Sequence, residues 1–514
     1  MKKTKIFNPY LPLNEYVPDA EPHVFGDRVY VYGSHDKEAG ETFCMLDYVC
    51  YSASVENLKE WRYEGVIYRA AQDPDYGKEN SKNSPVVRRY LYAPDVVQGN
   101  DGKYYLYYCM AGEYGNGGYH GPIQVAVCDT PAGEYQYLGY VRNRDGSPML
   151  DGVCFDPAVI NDDGVIRLYY GTQYLYEEEE DFFENEGLIR LEMEMFHKSR
   201  EEILVHAADV SVMGPYTAVL EDDMRTVRGK AEPIIPCRVK GTSFEGHSFF
   251  EGSSIRKVGK KYYFVYSSCL NHELCYAVSD FPDHGYVYGG TIVSNGDVGI
   301  NGRTEAERLN MTGTTHGGIE KINDQWYVFY HRLTHKSDYS RQGCAEPIEI
   351  APDGTIRQVP VSSCGLNGEA LVTEGAYPAA ICCVLNNGYV PHGSNKKFTE
   401  HFPHIGSKNG EVFLNELQDG TLIGYRSFAF TGSALFTVTA SCEKEAELRI
   451  YQEMPKEFAV EGELTGELLA TIQIPASKQW ILCKGEVPFV KGNFPLYLIY
   501  RSEGEGKIKE IGFE

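Results

Sequence analysis

"VPDAEPHVFGDRVYVYGSHD", residues 17–36, is an acidic turn followed by two short runs of alternating aromatic and β-branched residues around a "GD" pair. Period-two alternation bounded by turn residues reads as a hairpin, with Tyr30 inside its second strand. Asp19 and Glu21 stand at its entrance. Asp and Pro at a strand entrance are ordinary turn chemistry, so these carboxylates acquire meaning only if the arrangement recurs.

It recurs four times. "GKYYLYYC", "GVIRLYYG", "KKYYFVYSS" and "QWYVFYHR" repeat the turn and the aromatic strand ending in small or polar residues. Aligned on Tyr30, Tyr105, Arg167, Tyr263 and Tyr327, the repeats are separated by 75, 62, 96 and 64 residues. That is roughly the length of a four-stranded sheet with its loops, the unit of a β-propeller blade. The long third interval holds "YEEEEDFFENEGLIRLEMEMFHKSREEI", which reads as an inserted, acidic and partly helical excursion whose Glu run is a solvated face.

Ten to twelve residues before each alignment point stand Asp19, Asp95, Asp156, Glu251 and His316, in "PDAEP", "YAPDVV", "CFDPAVI", "FFEGSSI" and "GTTHGGI". In a propeller the strands that start there are innermost, and their first residues face the axis. Any one acidic residue at a strand start is more often a turn cap than a catalyst. A recurrent ring of like charge in a partly buried place costs energy, and calls for a cation or a reaction that uses paired carboxylates.

Composition agrees with an all-β architecture. The chain of 514 residues has 40 Tyr against 3 Trp, 53 Gly, and frequent tight-turn pairs. Its formal net charge of −25 is unsuited to nucleic acid and to anionic membranes. No run approaches the ~18 apolar residues of a membrane span. Fourteen cysteines are scattered without a C-x-x-C pair and read as buried, reduced thiols. With no signal-peptide pattern at the N-terminus, the expected location is cytoplasmic.

The motifs resemble glycoside hydrolase family 43 over about residues 7–360: "NPYLP" with "PDAEPHVF", "YAPDV" before "GKYYLYY", "FDPAVINDDG", "FFEGSSIRK", and "THGGI" with "SRQGCAEPIEIAPDGTI". The resemblance implies a five-bladed β-propeller that hydrolyses pentosidic bonds with inversion. It implies Asp19 as general base, Asp156 as the residue that tunes the acid and orients the sugar, and Glu251 as general acid. Arg341 in "YSRQ" would contact sugar and carboxylates, and His316 would be associated with a calcium ion on the axis. Tyr92, Phe155 and His35 are expected to contact substrate. The family's first motif is usually Asp-Pro, so Glu21-Pro22 is a rival alignment for the base; gap-free counting to Tyr30 favours Asp19. Tyr92 stands where the family often has Trp.

Residues 1–362 are thus expected to form a five-bladed propeller and catalytic domain. Residues 363–514, with alternation and turns at short intervals, are expected to form a β-sandwich of jelly-roll type, akin to carbohydrate-binding modules. The expected function is an exo-acting, inverting release of terminal α-L-arabinofuranosyl or β-D-xylosyl units from arabinoxylan- or arabinan-derived oligosaccharides. An endo-arabinanase is the alternative within the enzyme class, and a non-catalytic sugar-binding propeller the alternative outside it. A sialidase-type propeller lacks its S-x-D-x-G-x-T-W repeat here.

Overall fold

The computed structural model describes residues 5–514 apart from 75, 77–89, 111–120, 174–185, 188, 191–192, 194–197, 208–213, 237–238 and 394–396. Five antiparallel sheets follow one another along the first part of the chain. They span residues 21–68, 91–140, 158–233, 249–294 and 319–348, the first four with four strands and the fifth with three. All five alignment points fall on the second strand of their sheet, as the repeat predicts. The Glu177–Glu180 run lies outside the described residues, while the same excursion ends in a helix over Arg200–Ala207.

Each neighbouring pair of blades shares an apolar cluster, and tyrosines make up much of it. Tyr30, Tyr32, Tyr48, Tyr68 and Tyr108 fill the seam between blades one and two, and Tyr107, Tyr170 and Tyr216 the seam between two and three. The hydroxyls explain why Tyr is used where Trp or Phe would fill the same space. Tyr32 donates to the Pro131 carbonyl (2.7 Å), Tyr107 to Met224 (2.8 Å) and Tyr169 to Pro282 (2.7 Å), each on an outer turn of the following blade. A buried ring with a satisfied hydroxyl packs and cross-links at once.

Among the described residues the fifth blade has no outer fourth strand, a departure from the four-stranded expectation, and the N-terminal segment lies along its free edge. Asn8 Nδ2 donates to the carbonyl of Ala345 (3.0 Å), and Asn8 Oδ1 accepts from the Ala345 amide (3.0 Å). The amides of Asn8 and Tyr10 donate to the carbonyls of Ser363 and Gly343. Ile6, Tyr10 and Leu11 pack with Val29, Phe329 and Ala345 in the cluster that joins blade five to blade one. The ring is closed by the chain's own beginning.

Residues beyond the propeller form two six-stranded sheets and a two-stranded pairing of 454–455 with 465–466. One is built on Thr421–Phe430, Ala446–Tyr451 and Gly492–Ser502, the other on Glu411–Leu417, Ala434–Cys442 and Gly506–Phe513. Their facing side chains, among them Phe428, Phe436, Leu448, Leu498 and Phe513, make one core, which is the sandwich arrangement. No helix among the described residues is long and apolar enough to cross a membrane. The described cysteines are free thiols, most of them buried.

Candidate active site

The register of each blade fixes how deep its inner-strand residues sit. Tyr30 pairs with His23, Tyr105 with Val97, Arg167 with Ile160, Tyr263 with Arg256 and Tyr327 with Glu320. Counting back from these partners, Asp19, Asp156 and His316 each stand four residues earlier and Glu251 five, beside a register shift. Asp95 stands only two earlier. It therefore shares a layer with Glu21, Ala158, Ser254 and Gly318, one step further down the axis. The expected convergence of five ionisable groups is corrected to four. The cause is the turn: residues 99–103 join the first two strands of blade two where the other blades use two residues. Tyr105 therefore pairs eight residues back instead of seven, while Asp95 stands only ten back.

Asp19 and Asp156 enter their strands with φ of 57° and 45°, the left-handed region that non-glycine residues rarely occupy. Backbone held this way clusters at functional sites, because the surroundings must impose it. Asp19 Oδ1 accepts from Arg341 Nη1 at 2.8 Å and lies 3.1 Å from His331 Nδ1. Burial works against charge on Asp19, but Arg341, His331 and His316 outweigh it and hold its carboxyl well below the usual range. Asp19 is a stable carboxylate.

Glu251 is the opposite case. It keeps partial contact with solvent. Burial of its carboxyl and the charge of Asp19 push its pKa up to about 8, against weaker pulls from Arg341 and the Thr172 hydroxyl. Asp156 accepts from the Gly252 amide (3.1 Å), and burial with the charges of Glu251 and Asp19 also raises it. The site thus holds one fixed anion beside two carboxyls that resist ionisation. Pairs whose environments push their pKa values apart identify base and acid.

His316 joins them from blade five, its Nδ1 3.8 Å from Asp19 Oδ1 and 3.7 Å from Asp156 Oδ2. Burial lowers it to about 4, so the ring is neutral at pH 7, and its buried Nε2 has no hydrogen-bond partner among the described residues. Gly252, with φ of 76°, passes so close that a Cβ there would lie 3.1 Å from the ring. A side chain there would crowd the imidazole and strain the backbone at this φ.

Tyr92 and Phe155 sit with ring centroids 5.5 Å apart in a cluster with Phe43, Val153 and Tyr339. His35 Nδ1 lies 2.8 Å from the Asp47 carbonyl and its Nε2 3.7 Å from Glu15. Its neighbour Asp36, inside the opening sequence motif yet unnoticed there, is the more consequential residue. Asp36 binds Arg341 through both carboxylate oxygens (2.8 and 3.0 Å) and accepts from the Cys44 amide (2.9 Å). The Phe43 ring covers the guanidinium at 4.6 Å. A planar fork held on two sides by carboxylates and capped by a ring has one position.

Glu21, the rival for the base, is taken up elsewhere. It pairs with Arg256 (3.2 Å), which also holds Glu320 (3.2 Å). Burial, and then the charge of Asp95, push Glu21 to about 8 against the pull of Arg256. Asp95 itself lies 2.6 Å from His23 Nε2 and accepts from the amides of Val96 and Val159, both at 2.7 Å. These groups brace the inner strands beneath the site.

Comparison with known proteins gives a consistent result. Residues 8–356 match the model of Glycosyl hydrolases family 43. The chain is 40% identical over 526 aligned positions to a xylosidase/arabinosidase of Thermoclostridium stercorarium, covering 99% of each. It is 28% identical to xylosidase/arabinosidase 43A of Humicola insolens, over 67% of this chain and 96% of that one. Among solved structures, a β-xylosidase/α-arabinofuranosidase from a compost microbial metagenome, in complex with xylotriose and in calcium-free form, superposes with a TM-score of 0.50. It is 24% identical and covers 70% of this chain and 98% of its own. That likeness is one of fold.

Proposed function

The chain belongs to glycoside hydrolase family 43, and on that premise we propose that it is an inverting, exo-acting pentosidase. It would release terminal α-L-arabinofuranosyl and β-D-xylosyl units from arabinoxylan- or arabinan-derived oligosaccharides. The observation that carries this reading is the opposed ionisation of Asp19 and Glu251 at one site. In the proposed reaction Glu251 gives its proton to the leaving glycosidic oxygen. Asp19, ionised and held by Arg341, takes a proton from the water that attacks the opposite face of the sugar. Asp156, which resists ionisation beside Glu251 and is held by the Gly252 amide, would share the proton balance of the acid and orient the sugar. The names of the relatives pair xylosidase with arabinosidase, which supports a pocket that accepts both pentoses.

The test is a screen of aryl arabinofuranosides and xylosides, with NMR of the first-formed anomer. Turnover with an inverted anomer is the expected result. Cleavage inside debranched arabinan without any action on aryl glycosides would make the enzyme endo-acting. Binding without turnover would make it a lectin.

Calcium on the axis is part of the proposal. His316 fits such a site on its own chemistry, being neutral and buried with Nε2 unpartnered. One nitrogen does not satisfy calcium, so water oxygens would complete the shell. Bound there, the ion would supply a positive field that favours ionised carboxylates. After exhaustive chelation, added calcium should raise the melting temperature, by ~2.7 kcal/mol of stability at a hundredfold excess over its Kd. His316→Gln should abolish that increment. An unchanged melting temperature in the parent protein at millimolar calcium would remove the metal from the account.

A further inference from the structure

Arg341 begins a strand (Arg341–Ile348) directly after the turn 334–340, and its partner Asp36 lies in the first-blade segment 35–46. Both segments are gripped by residues 397–416, which lie beyond the propeller. On the turn, the amide of Ile405 donates to the Thr334 carbonyl (2.9 Å) and that of Phe398 to the Lys336 carbonyl (3.1 Å). Ser337 and Lys397 form an antiparallel bridge. Lys336 Nζ lies 2.5 Å from Glu416 Oε2 and 5.5 Å from the centroid of Phe402.

Glu416 has φ of 52° at a break in register between Leu414 and Leu417. A bulge of that kind re-aims a side chain out of its sheet. On the first-blade segment, the Ser407 hydroxyl donates to Glu38, and Lys397 Nζ lies 2.7 Å from Glu41. The two gripped segments also meet each other. The Ala39 amide donates to Ser340 Oγ (3.0 Å), and Phe43 stands edge-on to Tyr339 at 4.8 Å.

We propose that residues 397–416 clamp the two segments that carry Arg341 and Asp36 and so hold Arg341 against Asp19, with Lys336 and Glu416 as the positioning residues. The inference rests on the reading of Asp19 as base. Neither positioning residue touches the reacting centre. The Lys336–Glu416 pair is shielded, its side chains 23% and 17% exposed, so it is not the solvated kind that contributes little. The guanidinium makes three short contacts at fixed angles, two to Asp36 and one to Asp19, so a small shift of its strand entrance disturbs all three. A catalytic group displaced by ~1 Å can cost ~10²-fold in rate.

The experiment uses the full chain carrying Lys336→Ala, Glu416→Gln, both together, or Lys336→Arg. Each is assayed on a dinitrophenyl pentoside and on an oligosaccharide. The alanine and glutamine variants should lose about 10-fold in kcat on both substrates, with KM within about twofold. The double variant should be no worse than the poorer single one, and Lys336→Arg should keep most of the rate. Loss on the dinitrophenyl substrate marks the base side of the site, because that leaving group needs no acid. Normal kcat in a folded variant of lowered melting temperature would make the contact merely structural. Raised KM with normal kcat would make the segment a sugar-binding rim. Either result overturns the clamp. Glu416→Gln preserves volume and keeps the test open if Lys336→Ala fails to fold. Asp19→Ala is run alongside. If it is inactive while the clamp variants are normal, only the clamp falls; if it is active, the base assignment falls first.

Discussion

Asp19→Ala should cut kcat/KM by at least ~10³-fold on every substrate, activated aryl glycosides included. The reason is that water must be deprotonated whatever the leaving group. It also leaves the Arg341 guanidinium with only Asp36 as a carboxylate partner in a buried site, so the variant loses both the base and part of its frame. Glu21→Gln should lose less than about tenfold in rate, since Glu21 pairs with Arg256 in the layer below the reacting groups. Its cost should appear as a lowered melting temperature. The reverse ranking in a steady-state assay would transfer the base to Glu21.

Glu251→Ala should separate substrates rather than silence them. A sugar alcohol leaves poorly without a proton, whereas dinitrophenolate leaves readily. General acid catalysis is typically worth ~10²–10⁴-fold, and that loss is expected on xylo- or arabino-oligosaccharides, with a much smaller one on the dinitrophenyl pentoside. The pH profile carries a second signature. Glu251 is active when protonated and its pKa is raised to about 8, so the parent rate should fall as pH climbs through that value. In Glu251→Ala, assayed on the activated substrate, this alkaline limb should vanish. Glu21 is also raised to about 8, so Glu21→Gln is the necessary control and should keep the limb. Equal losses on both substrates in a folded Glu251→Ala protein would mean that another group is the acid.

The parts of this molecule that could be read in the sequence are those governed by local rules. Aromatic alternation after a turn places Tyr30, Tyr105, Arg167, Tyr263 and Tyr327 on second strands, because strand period and turn chemistry need only nearby residues. Asp19, Asp156 and His316 follow from counting back four residues from the pairing partners, and Glu251 from five, across one register shift. Counting fails for Asp95, because the longer turn 99–103 displaces Tyr105 along its strand relative to the other blades. It says nothing about Asp36, whose importance lies in a bond to Arg341 305 residues away. His331 reads as part of an aromatic strand, yet it is fully buried against Asp19. In sequence it is one of two polar residues, with Arg332, that close an aromatic run. The clamp at 397–416 is equally silent, since Lys336 and Glu416 look like any surface charges until the two parts of the chain are packed.

The latch made by Asn8 has a consequence in time. A chain made from its N-terminus completes the strands of blade one early, but Asn8 must wait for Ala345, 337 residues further on. At ~5–20 residues per second, synthesis alone separates the two by roughly 20–70 s. Closure of so distant a pair is also a late step in any refolding from denaturant, because its entropic cost is met before its contacts form. Through that interval the N-terminal segment lacks its blade-five partners, and once the last blade forms its bare third strand is an unpaired edge. That edge is what a chaperone, or a second newly made chain, would meet before the ring is shut.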